Sequence, residues 1–201
     1  MRQKLDSKNL KNQIKLIFEE KNLDKSQKLL KLKQILEKLP EIDSDSLKLI
    51  NSEVKGIYGS EYLLTKYNFL TETEFYKFLK NRYSDSAEVL LSYGDLLLLS
   101  KQYHESFDAF NQAFYLQPTL LFQAPGELSD FIKEHGSEIQ KISYDIALLR
   151  AFILDKDWED ATEQYNDLIE AYGKNNQIIQ QSFQDPKIKK EILSLFSHDR
   201  S

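Results

Sequence analysis

The chain has no cysteine. Disulfides, thiolate metal sites and cysteine nucleophiles are therefore excluded, and the cytoplasm is the default location. Glycine numbers 6 and proline 4 in 201 residues, while Leu, Lys, Glu, Ile and Gln abound, which is a composition of helix formers. Arginine occurs only as Arg2, Arg82, Arg150 and Arg200, which argues against a dedicated phosphate-reading surface. No run approaches the roughly 18 apolar residues that a bilayer requires, and the first twenty residues alternate charged and apolar groups without a signal-peptide core. No membrane span is expected.

Catalytic patterns are absent too. His104, His135 and His198 stand far apart without metal-ligand spacing. Gly56 and Gly59 fall inside a helical pattern with no following Gly-Lys-Ser/Thr, so there is no phosphate loop, and no nucleophile elbow occurs. Asp155, Asp157, Glu159 and Asp160 do not make a calcium loop, because Asp160 replaces its glycine and Asn166 its final glutamate. A non-enzymatic protein without metal or cofactor is the expectation.

Charge is unevenly spread. Residues 1–40 hold 11 Lys and Arg against 5 Asp and Glu, leaving 16 against 27 for the remainder. A basic arm thus precedes an acidic body, which speaks against nucleic acid as the ligand of the body. The arm is either a solvated lysine face or a contact for an acidic partner or for the body itself. Asp160, Glu163, Asp167 and Glu170 share one helical face and allow the converse reading, a solvated face or docking for a basic partner.

What is present is helical periodicity. Leu10, Ile14, Ile17 and Phe18 form one stripe over residues 9–20; Asp24 opens a second helix with Leu29, Leu32, Leu36 and Leu39, stopped by Pro40. Asp43 to Asp45 cap a third, with Leu47, Ile50, Val54, Ile57 and Leu64, running to about Tyr67. Thr71 or Thr73 starts a fourth, bearing Phe75, Tyr76, Phe78 and Leu79.

Residues 87–119 carry the most specific pattern. Leu90, Tyr93, Gly94 and Leu97 fill one helix, Ser106, Phe110, Ala113 and Pro118 the next, with Tyr103 opening the second. Large residues flank small ones where two antiparallel helices must approach closely. This spacing resembles the tetratricopeptide repeat, with Leu90 in place of its tryptophan and Ser106 in place of its alanine. One period earlier, Gly59, Ser60, Phe69, Tyr76, Leu79 and Ser84 echo it. Later, after an insertion at 120–136 broken at Pro125-Gly126, a helix capped by Ser137 is followed by one beginning at Asp157 in which Trp158, Ala161, Tyr165 and Leu168 match Tyr103, Ser106, Phe110 and Ala113, and Gly173 closes the pair. Asp185-Pro186 starts a terminal helix with Ile188, Ile192, Leu193 and Phe196.

The resemblance implies an all-α fold, a right-handed α-α solenoid of about three irregular pairs at 44–83, 86–118 and 138–173. Basic amphipathic N-terminal helices at 1–42 would precede a repeat domain at 43–201 that ends in capping helices at 175–198. It also implies a concave groove lined by Ile57, Glu61 and Leu64, then Leu91, Asp95 and Leu98, then Ile146, Arg150 and Ile153. The Lys and Asn of carboxylate-clamping repeats are missing there, so a chaperone-tail co-adaptor is not expected. An apolar groove suits an amphipathic helix or apolar peptide of a protein partner, and it also allows a homo-oligomer. The function implied is a scaffold or adaptor subunit of a larger assembly. The alternative is a chaperone for a secreted or aggregation-prone client.

Overall fold

Helix starts are set by side chains that supply the acceptors the first turn lacks. Asp24 and Ser137 each form a reciprocal capping box, with Gln27 and Gln140; Ser86, Asp157 and Asn176 cap through one side-chain oxygen. Asp43 accepts from the Ser46 N–H at 2.9 Å and from its hydroxyl at 2.7 Å. Asp185 accepts from the N–H groups of Lys187 and Ile188, with Pro186 at the first helical position. The computed structural model describes residues 7–39, 42–59 and 70–198, and every regular element among them is helical. No helix among these residues is long and apolar enough to cross a membrane.

The chain divides between Gln102 and Tyr103 into two compact units. The first contains α1 (Ser7–Glu19), α2 (Lys25–Leu36), α3 (Ser44–Gly59), α4 (Leu70–Arg82) and α5 (Ala87–Leu99). α1 packs on α2 and α3, α2 on α4, and α4 and α3 on α5, which closes a ring of helices. Its core collects Leu10, Ile14 and Ile17, then Leu29, Leu32 and Leu36, then Ile50, Val54, Tyr76 and Leu79, and finally Val89 and Leu96. Three- and four-residue spacing on each helix puts these side chains on one face.

The boundary between the compact units falls at 102/103. α1 and α2 bury their apolar stripes in the same cluster as α3, α4 and α5, so the basic arm is part of a folded unit. α2 ends at Leu36 and α4 begins at Leu70. Pro40, Ser60, Glu61, Leu64, Tyr67 and Phe69 lie outside the described residues.

The second unit contains α6 (Tyr103–Leu116), a 3-10 helix (Pro118–Gln123), α7 (Gly126–His135), α8 (Glu138–Asp155), α9 (Trp158–Tyr172), α10 (Gln177–Gln184) and α11 (Pro186–His198). α8 is its centre, in contact with all six other elements. α6 ends at Leu116, just before Pro118, and Pro118 then opens the 3-10 helix, since a residue without an N–H suits a first turn. Leu120 and Leu121 of that segment are buried, so the insertion contributes side chains to the unit's core.

Two turns share one backbone solution. Lys101 (φ 59) and Lys156 (φ 64) are left-handed. The following amides reach back, Gln102 to the Leu97 carbonyl at 2.8 Å and Asp157 to the Phe152 carbonyl at 3.0 Å. The Lys101 and Lys156 amides bond Leu98 and Ile153, completing a Schellman closure at a position where glycine is usual. Lys156→Gly and Lys101→Gly should each stabilise the chain by about 0.5–1 kcal/mol, the relieved strain outweighing the added freedom of the unfolded chain. Gly173 already sits at φ 80, and Gly173→Ala should destabilise by about 1 kcal/mol. Urea unfolding of the three variants measures both signs.

Candidate functional site

α8 carries isoleucines at 142, 146 and 153 and Leu149 on one face, and Arg150 interrupts that face. α11 repeats the design with Ile188, Ile192 and Leu195 interrupted by Glu191. Packing the two faces together brings the interruptions into register. Nε of Arg150 donates to Oε2 of Glu191 at 2.6 Å and Nη2 donates to Oε1 at 3.3 Å. Arg150 is 2% exposed and Glu191 9%, so each charge is desolvated and relies on the other.

The same guanidinium serves a third group. Nη2 donates to the Tyr115 carbonyl at 3.3 Å, and Nζ of Lys187 donates to the Tyr115 and Leu116 carbonyls at 2.9 and 3.0 Å. These are orphaned acceptors at the C-terminus of α6, where the helix dipole is negative. Both cations also lie over the Tyr115 ring, at 5.5 and 5.4 Å from its centroid. The Tyr115 hydroxyl donates to Asp185 at 3.0 Å. That hydrogen bond pushes the phenol up, whereas the Ile188 N–H, foremost, holds the Asp185 carboxyl below its usual value.

A second polar contact lies on α8. The Tyr172 hydroxyl donates to Oδ2 of Asp145 at 3.1 Å. Burial pushes Asp145 above the usual carboxylate value, against the hydrogen bond from Tyr172 and the nearby Lys133. Tyr172 is pushed up to about 12, by burial first and by Asp145 next.

Of the groove positions expected from the sequence, Ile146, Arg150 and Ile153 come together on α8, and Ile146 and Ile153 share a buried cluster with Ile188, Ile192 and Leu195. The terminal helix of the chain thus covers that face. Leu91 and Leu98 lie one turn to either side of Asp95 on α5; the leucines are 4% and 8% exposed, and Asp95 is half-buried. Ile57 lies in the last turn of α3, while Glu61 and Leu64 fall outside the described residues. Sequence reasoning missed Glu191, Tyr115 and Lys187. For Glu191 the signal was there, because a carboxylate inside one apolar stripe and an arginine inside another are each costly until paired.

Among the described residues, no group of three His, Cys, Asp or Glu side chains could hold a metal ion. A scan against protein-family models, a search of curated proteins and a search of solved structures each gave no match.

Arg150→Ala strands a buried carboxylate and should destabilise the protein by about 3–5 kcal/mol, whereas Arg150→Met combined with Glu191→Leu should recover most of the loss. Urea unfolding of both variants, with circular dichroism as the probe, checks the asymmetry. Asp145 gives a pH test. Its folded pKa is raised, so its contribution to stability is complete below the unfolded value near 3.8 and is lost as pH rises through the folded value. Asp145→Asn should remove that loss, and the stability of the variant relative to the parent should rise between acidic and neutral pH in paired unfolding curves.

Proposed function

We propose that this chain is a non-enzymatic interaction scaffold of the helical-repeat kind, a solenoid of tetratricopeptide-like pairs that holds a protein partner in a larger assembly. The observation that carries the reading is the repeated turn. Lys101 and Lys156, at positions the spacing pattern makes equivalent, take the same left-handed conformation and the same pair of backbone hydrogen bonds. In both cases an aromatic residue, Tyr103 or Trp158, opens the next helix. A turn that recurs between successive helices is expected of repeat proteins, whose common use is binding.

The partner surface follows from what the chain leaves uncovered. Ile146 and Ile153 are packed under α11 and Arg150 is committed to Glu191, so a ligand on that stretch would have to displace α11. The lysines of α1 and the carboxylates of Asp160, Glu163, Asp167 and Glu170 on α9 are largely solvent-facing. We infer that the scaffold meets its partner through such outer faces, with Leu91, Asp95 and Leu98 of α5 as the remaining inner positions.

Tagged full-length protein, cross-linked in its own organism and purified, should carry a fixed set of partners in constant stoichiometry through gel filtration. Release and replacement of the bound protein by excess free client would instead mark a chaperone. Turnover of a small molecule by the isolated chain would overturn both.

A further inference from the structure

A recess of about 430 Å³ lies between the end of α1, the start of α2 and α3 in the first unit. Among the described residues, Phe18, Leu23, Lys25 and Lys28 line it from the first two helices and their connection, and Glu53 and Gly56 line it from α3. Three-residue spacing puts Glu53 and Gly56 on one face of α3.

Gly56 keeps this recess open. An added Cβ there would meet nothing within 4 Å, so no neighbour requires a glycine. The backbone does not require one either, since α3 runs on to Gly59 and Gly56 is not at positive φ. A glycine inside a helix weakens it. What the missing side chain leaves is space beside Glu53.

The fold has already matched the two lysines of the lining. Nζ of Lys25 lies 3.4 Å from Oε1 of Glu72, which is fully buried. Nζ of Lys28 donates to the Phe18 carbonyl at 2.6 Å, at the negative end of α1. Glu53 differs from both. It is half-buried and has no hydrogen-bond or ion-pair partner among the described residues. The recess therefore offers one open carboxylate together with the apolar residues Phe18 and Leu23.

That combination suits a cation carried on an apolar stem. A guanidinium is planar, gives a carboxylate two parallel N–H donors and is more weakly hydrated than an ammonium. Its methylene stem covers apolar surface while the charged head is held. The chain's own described arginines, Arg82 and Arg150, are engaged at other helix ends. We propose that this recess receives an arginine side chain of a partner protein, guanidinium on Glu53 and stem against Phe18 and Leu23, in the space that Gly56 leaves. The inference rests on the interaction-scaffold reading only for the arginine belonging to a protein.

Titration of the isotope-labelled full chain with acetyl-arginine methylamide, followed by two-dimensional NMR, tests it. Amide shifts should saturate and cluster at residues 18–28 and 53–56. Binding should weaken about tenfold in Glu53→Gln, and as much when the uncharged isostere citrulline replaces arginine. Gly56→Leu should abolish it while the midpoint of urea unfolding rises, because leucine is the better helix former. A loss through misfolding would lower that midpoint. No saturation, equal binding of the citrulline compound, undiminished binding in Gly56→Leu, or shifts confined to the acidic face of α9 would each overturn the proposal. In cross-linked cells Gly56→Leu should lose partners that the parent chain retains. If it kept them in full, the recess would be dismissed and the scaffold reading would stand. If the parent carried none, the scaffold reading would fall, and the titration would decide by itself whether the recess takes arginine.

Discussion

The helix C-terminus is the constraint on which this protein depends. Every α-helix leaves its last carbonyls without an internal donor. The usual remedy is a glycine just past the end, but the chain has only 6 glycines. Cations from neighbouring helices and left-handed lysines take over. Lys28 donates to the Phe18 carbonyl at the end of α1, Arg82 to the Glu37 and Leu39 carbonyls past the end of α2, and Arg150 and Lys187 to the end of α6. Lys101 and Lys156 close α5 and α8. Gly173 ends α9 at φ 80, the one position in this set where glycine is used.

This explains where the scarce arginines go. Both described arginines, Arg82 and Arg150, reach the end of another helix within their own unit. A guanidinium suits this task because it can hold several acceptors in fixed geometry. Arg82 joins two carbonyls and donates to the Tyr83 hydroxyl at 3.1 Å. Arg150 joins a carbonyl to a carboxylate on α11. The contacts to the carbonyls and the carboxylate tie segments that are distant in sequence. Arg150 therefore fixes three helices, α6, α8 and α11, with one side chain, and the apolar stripes of α8 and α11 complete what the ion pair aligns.

Local chemistry was legible in the residues and long-range pairing was not. Asp24, Ser137, Asp157 and Asp185-Pro186 announce helix starts because a cap acts within three residues of itself. The stripes of α1, α2 and α8 announce their buried faces because helical period is local. Arg150 and Glu191 are 41 positions apart, and no local pattern joins them. The resemblance placed Arg150 on a groove wall; the structure shows its side chain committed to Glu191 and the Tyr115 carbonyl. The domain division at 102/103 was also hidden, since the same periodicity runs through α5 and α6 and does not say which helices share a core. The 3-10 helix after Pro118 escaped because a proline after a helix reads as a stop until Leu120 and Leu121 are seen buried.

On the scaffold reading proposed above, inner positions that the chain fills itself leave the outer faces to a partner, and there the charge is sorted by sign. Lysines concentrate on α1, and acids occupy the solvent face of α9. Screening limits such faces to a range of about 10 Å at moderate salt, so they guide a partner only at close approach. Alone they add little affinity, because exposed ion pairs are weak one by one.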